Sequence, residues 1–157
     1  MTSLQQARWL ALLVPTALLA GAYGSQYLGG LHPCEMCYWQ RWPHFAAIGF
    51  ALLSFALRSA ADRGRSFVWL AALSIIASGA IGTYHAGVER GIFEGLTRCT
   101  SAAGSSIQDI LAAPLVRCDQ IPFEFLGISM AGWNAILSIG LGLVIAWLSL
   151  KKPKATA

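Results

Sequence analysis

Four stretches of this chain, Trp9 to Leu28, Trp39 to Leu57, Phe67 to Tyr84 and Ile128 to Leu150, are long and apolar enough to cross a bilayer. At about 1.5 Å of rise per residue, each covers roughly the ~30 Å hydrocarbon core. Lipid offers backbone amides and carbonyls no hydrogen-bond partner, so isolated runs of this length must form helices. The expected fold is an all-α membrane protein, a four-helix transmembrane bundle forming one domain over residues 1–157. Composition agrees. Hydrophobic residues make up 56% of the chain and charged residues 11%, whereas roughly a quarter of a soluble domain is charged. The first run begins after only eight residues, as in a secretory signal. Its length and the three spans behind it favour a first transmembrane helix instead.

Small residues recur within the runs, notably Gly79, Gly82, Gly140 and Gly142, where they would let helices approach closely. Trp9, Tyr27, Tyr38, Trp39, Trp42, Tyr84, Trp133 and Trp147 sit toward the run ends, as headgroup-level aromatics do.

With four spans, both termini share one side. Arg8, Arg58, Arg63, Arg65, Lys151, Lys152 and Lys154 fall on that side, against Arg41, Arg90, Arg98 and Arg117 on the other. The positive-inside rule makes the richer side cytoplasmic, which places the loops 29–38 and 85–127 in the periplasm. The net charge of +4 is thereby a matter of topology, and no nucleic-acid partner is expected. In the longer loop, Ser106-Ile107-Gln108-Asp109 reads as a capping box and Ile107, Ile110 and Leu111 share a helical face that ends before Pro114. A short helix on the membrane surface is one reading, an ordinary loop the other. The tail from Lys151 onward is expected to be disordered.

All four cysteines lie in these two loops. Cys34-Glu35-Met36-Cys37 is a Cys-x-x-Cys motif directly ahead of the second span. A structural zinc site would want a second short-spaced pair or histidines, but Cys99 and Cys118 lie far apart, so no metal is expected. Two inert structural disulfides remain possible from spacing alone. Position favours redox chemistry: near a helix start, with Arg41 four residues on, the Cys37 thiolate would be stabilised. Pro43 is compatible if it falls in the first turn, where its missing amide costs nothing. Arg41 stands at the edge of the apolar core, where a charge is expensive, and either serves a site or snorkels to the headgroups.

The run Pro33-Cys34-Glu35-Met36-Cys37-Tyr38-Trp39-Gln40-Arg41 resembles the bacterial disulfide bond formation protein B family (DsbB), membrane oxidases of DsbA-type proteins. The similarity continues through Tyr84-His85-Ala86-Gly87-Val88-Glu89, the second cysteine pair, and Phe125-Leu126-Gly127-Ile128-Ser129-Met130, and so spans nearly the whole chain. The separation of Cys99 and Cys118 is shorter than in the best-known branch.

The resemblance implies an inner-membrane quinone-dependent oxidase. In it Cys99 and Cys118 form the disulfide that accepts electrons from a periplasmic thioredoxin-fold, DsbA-like partner. Cys34 and Cys37 form the disulfide that passes them to ubiquinone or menaquinone. Arg41 would hold a quinone carbonyl, and His85 would lie near the same site unless it is merely an interfacial polar residue; His32 and His44 have only that reading. DsbA is a strong oxidant near −120 mV, and its regeneration needs an acceptor above that potential. No nucleotide-binding glycine motif suggests another cofactor. Rival readings are a conduit carrying reducing equivalents outward and a non-enzymatic, disulfide-stapled membrane subunit.

Overall fold

A computed structural model of the chain describes residues 1–59, 62–95, 100–101 and 115–151. Its helices are α1 (Ser3–Tyr27), α2 (Glu35–Ala56), α3 (Arg65–Glu89) and α4 (Met130–Leu150). Among the described residues, the remaining regular structure is two short antiparallel ladders between α3 and α4. In one, β1 (Thr100–Ser101) pairs with β2 (Leu115–Val116); in the other, β3 (Glu124–Phe125) pairs with β4 (Ile128–Ser129). Cys99, Arg98, the capping box at Ser106–Asp109, the face of Ile107, Ile110 and Leu111, Pro114 and the tail 152–157 lie outside the described residues.

Local chemistry sets the helix starts. Thr2 and Gln5 form a reciprocal capping box on α1, and the Ser129 hydroxyl accepts from the Gly132 amide at the start of α4. Cys34 is the N-cap of α2, its sulfur accepting from the Cys37 amide at 3.3 Å. That cap moves the start of α2 ahead of the apolar run. Pro43 therefore lies well inside the helix and not in its first turn, and it removes an intrahelical hydrogen bond there.

Among the described residues α1, α3 and α4 are long and apolar enough to cross a membrane. α2 falls short of that measure because Glu35, Gln40, Arg41 and His44 occupy its N-terminal half. All four helices pack together, α3 most extensively, against α4 and α2. Ala7, Ala11 and Val14 of α1, Ala47 and Ala51 of α2, Val68, Ala71, Ala72 and Ile75 of α3, and Ile145 of α4 are buried in one core. The core is alanine-rich, as expected where close backbone approach drives association. Larger apolar side chains such as Leu13, Leu52, Leu73 and Leu143 point outward, which suits a lipid-facing surface.

Three of the four noted glycines sit where a β-carbon would collide. Gly79 faces Ile139 and Ser138, Gly142 faces Ile76 and the Ala72 carbonyl, and Gly82 faces the Ala131 carbonyl, Asn134 and Gln40. Gly140 meets nothing within 4 Å, so it does not serve helix approach. The turn of the second ladder carries Leu126 and Gly127 at φ 54° and 73°, a two-residue connection matched to strand twist. Arg90 donates to the Gly127 carbonyl at 2.9 Å and the Trp133 indole to the Phe125 carbonyl at 3.0 Å, holding this turn over the end of the bundle.

Candidate active site

Cys34 and Cys37 stand at the start of α2 with sulfurs 2.9 Å apart. Neither is disulfide-bonded in this structure. Their acidities are driven in opposite directions. Hydrogen bonding to Cys37, together with burial, pushes the Cys34 thiol far up. The hydrogen bond from Cys34 lowers the Cys37 thiol, and the Arg41 charge one turn on adds to this. Cys37 is thus the more acidic of the two thiols, and Cys34 the one suited to donate to it. After reduction, Cys37 is expected to alkylate with iodoacetamide at a pH below the usual thiol range near 8.5, ahead of Cys34. Since removing a cation raises a thiol pKa, Arg41→Met should move that alkylation midpoint upward; mass spectrometry of each site across pH checks both points.

α3 brings His85 to the same end. Its Nε2 lies 3.5 Å from the Cys34 sulfur, and both residues are buried. The other ring nitrogen lies 2.9 Å from Gln40 Nε2. Gln40 Oε1 accepts from Asn134 Nδ2 at 2.8 Å, which leaves Gln40 Nε2 as the donor to His85 Nδ1. The neutral imidazole therefore carries its proton on Nε2, facing sulfur. The network continues inward: His44 Nε2 lies 3.0 Å from Asn134 Oδ1 and 2.9 Å from Ser78 Oγ, and Ser138 donates to Asn134 Oδ1 at 2.9 Å. His44 is buried among α2, α3 and α4, so its reading as an interfacial polar residue is corrected. His32, by contrast, is exposed.

Glu89, one turn beyond His85, places Oε1 3.8 Å from His85 Nε2 with its side chain 2% exposed. Its Oε2 has no hydrogen-bond partner. A buried carboxyl beside a thiol and an imidazole is the kind of group that clusters at functional sites, and the motif Tyr84-His85-Ala86-Gly87-Val88-Glu89 alone gives Glu89 no role.

Arg41 is 7% exposed. Its guanidinium donates to Gln26 Oε1 at 2.7 Å and lies over the rings of Tyr23 and Tyr38, 4.6 and 5.0 Å from their centroids. Cys37, Arg41, His44, His85 and Glu89 all line one cavity of about 290 Å³, whose other walls include Leu18, Leu19, Ala22 and Met130.

Cys118 is buried against Cys34, Met36 and Val88, within hydrogen-bond reach of the Cys34 sulfur. Arg117 forms a two-pronged pair with Asp119, Nε to Oδ1 at 2.9 Å, which holds the Asp119 carboxyl below the usual range. The residue after Cys99, Thr100, pairs with Val116, two positions before Cys118.

The family described as Disulfide bond formation protein DsbB matches residues 5–148. The chain belongs to the DsbB family. A Disulfide bond formation protein B of Marinobacter nauticus is 31% identical over 157 residues, covering 88% of this chain and 91% of its own. One from Methylococcus capsulatus is 30% identical over 142 residues, covering 85% and 86%. An uncharacterized protein of Rickettsia prowazekii is 32% identical over 145 residues, covering 87% and 82%. No solved structure matches the chain. Membership makes this a DsbB-family membrane protein of disulfide-bond formation, and with its three apolar helices an inner-membrane one. At family level its activity is that of a disulfide-forming oxidoreductase.

Proposed function

We propose that this chain reoxidises a periplasmic DsbA-like dithiol protein and passes the electrons to membrane quinone, ubiquinone or menaquinone. It does so as one four-span domain with both termini cytoplasmic and the cysteine loops periplasmic. The observation that carries the reading is the stacking of Cys118 on Cys34, while Cys37 and Arg41 line the adjacent cavity. Two thiol pairs in sequence are what a relay needs.

The cavity suits a quinone head. Its walls are mostly apolar, its volume is close to the lower range of small-molecule sites, and Arg41 contributes a guanidinium to neither of the ion pairs among the described residues. Quinone, when bound, accepts two electrons and two protons. Every other part of the reaction falls to the chain. The partner's thiolate attacks Cys99, releasing Cys118 as a thiolate; Cys118 attacks Cys34, breaking the Cys34–Cys37 disulfide and freeing the Cys37 thiolate. A second partner thiolate resolves the mixed disulfide on Cys99, so the partner leaves oxidised and two electrons remain in the chain. The freed Cys99 thiolate attacks Cys118, re-forming their disulfide and releasing Cys34, and Cys34 and Cys37 then surrender those two electrons as their own disulfide re-forms. His85, with its proton on Nε2, donates toward Cys34 and steadies negative charge there. Glu89 stands within one further transfer of that proton. Arg41 would hold a quinone carbonyl oxygen and balance the charge that gathers on it.

The test is incubation of the purified chain with a reduced thioredoxin-fold partner and a soluble quinone analogue. One quinone should disappear for each pair of partner thiols lost. Quinone left untouched while partner thiols persist would favour the outward conduit or the stapled subunit.

A further inference from the structure

At the opposite end of the bundle from the cysteines, Arg8, Arg58, Arg63, Arg65 and Lys151 line a cavity of about 250 Å³. No carboxylate lines it among the described residues. Arg8 is 7% exposed, and its guanidinium donates to the Arg63 carbonyl through one terminal nitrogen. Its Nε has no hydrogen-bond partner, and neither does Nε of Arg65. The nearby acid, Asp62, acts on Arg8 only through its charge and makes no ion pair with it: its oxygens accept from the Gly64 and Ser66 amides at 2.9 and 3.0 Å. The N-termini of α1 and α3 both reach the cavity through Thr2, Ser3 and Arg65, adding their positive dipole ends.

Topology accounts for cations near this end of the chain, but not for a buried one with an idle donor. Arg58 and Lys151 follow the C-termini of α2 and α4, where cations complement free carbonyls, and Lys151 also lies 3.4 Å over the Trp147 ring. Arg8 and Arg65 have no such explanation. A buried guanidinium with unmet donors, among like charges, calls for an anion with several acceptor oxygens.

We propose that this cavity binds a phosphate group, supplied in the membrane by the headgroup of an anionic phospholipid. The headgroup is favoured because the cavity lies at the end of apolar helices, with Trp9 next to its Arg8 in the chain and Trp147 under its Lys151, the two tryptophans being 46% and 56% exposed. Lipid phosphates stand at that depth. The site is independent of the thiol relay.

Full-length protein exchanged into nanodiscs of phosphatidylcholine with equimolar phosphatidylglycerol, then released into detergent for native mass spectrometry, tests this. Wild-type chain should retain phosphatidylglycerol in preference to phosphatidylcholine. Arg8→Gln and Arg65→Gln should each weaken that retention roughly tenfold, the effect of one lost charge-assisted contact. Inorganic phosphate at millimolar concentration that displaces the lipid would identify the free anion as an equally good ligand, while lipid unaffected by phosphate identifies the headgroup; either result supports a phosphate site. Should Arg8→Gln fail to fold, Arg65→Gln carries the test, since its Nε bonds nothing. Equal retention of the two lipids, or Arg65→Gln retaining as much as wild type, overturns the proposal. The readout needs no quinone or partner, so it stands or falls apart from the oxidase reading.

Discussion

Cys118→Ala should cut turnover with quinone by roughly a thousandfold or more, the scale of loss when a covalent mechanism loses a nucleophile. Given oxidised partner, the same variant should hold a mixed disulfide in which the Cys99 thiolate has attacked the partner's disulfide and released its second sulfur as a thiolate. Local charge does not decide which cysteine of the second pair meets the partner. Arg98 precedes Cys99 and Arg117 precedes Cys118, and the Arg117 charge is already engaged by Asp119. The placement of Cys118 supplies a reason of its own. Cys118 is 6% exposed and packed on Cys34, poorly placed for an approaching soluble protein but well placed to attack the sulfur beside it. In-line attack on Cys34 expels Cys37, the sulfur whose negative charge the Arg41 guanidinium stabilises, so the better leaving group is the one released. Non-reducing electrophoresis with each single cysteine variant reads the order. A partner trapped on Cys118 in the Cys99 variant, and not on Cys99 in the Cys118 variant, would reverse it.

The three helices apolar enough to cross a membrane were legible because lipid imposes a length on an apolar run, and ~20 residues of hydrophobic sequence permit little else. The start of α2 was less so. Its cap is a cysteine sulfur, an atom outside the Ser, Thr, Asp and Asn set that marks helix starts, and Glu35 to Tyr38 therefore looked like loop. That early start places Cys37 and Arg41 one turn apart within one helix. The same shift puts Pro43 in the helix interior.

The polar network behind the thiols was overlooked for a different reason. Gln40 and His44 are four apart on α2, Asn134 and Ser138 four apart on α4, and Ser78 lies on α3 between them. Each alone is an ordinary polar residue in an apolar run. Taken together, repeated four-residue spacing in several membrane helices was a usable signal, because polar groups in lipid seek one another. Which helix faces which cannot be read from the runs themselves, and the pairing of Gln40 with both His85 and Asn134 depends on it. Gly82 carries the same information from the other side: a β-carbon there would meet Gln40 Oε1 and Asn134 Nδ2 at 3.1 Å, so its smallness makes room for the network.

Arg41→Ala should raise the quinone Michaelis constant or lower turnover by roughly ten- to a hundredfold, since a hydrogen bond to a charged group is worth about 1.5 to 3 kcal/mol. Thiol exchange with the partner should change far less. The surroundings of Arg41 argue for this separation. Its fixed contacts, Gln26, the Ala22 carbonyl and the rings of Tyr23 and Tyr38, include no carboxylate, so its charge is held in place without being neutralised. A guanidinium that only snorkelled would reach water, yet this one is 7% exposed and lines the cavity beside Cys37. Arg41→Lys should recover part of the loss, because an ammonium restores the charge but not the planar fork that bonds Gln26 while stacking on tyrosine. The two readouts separate the explanations. Quinone kinetics unchanged in Arg41→Ala would return the residue to a packing role. Equal losses in quinone use and partner exchange would mean that the substitution had disturbed the start of α2, and with it both sulfurs.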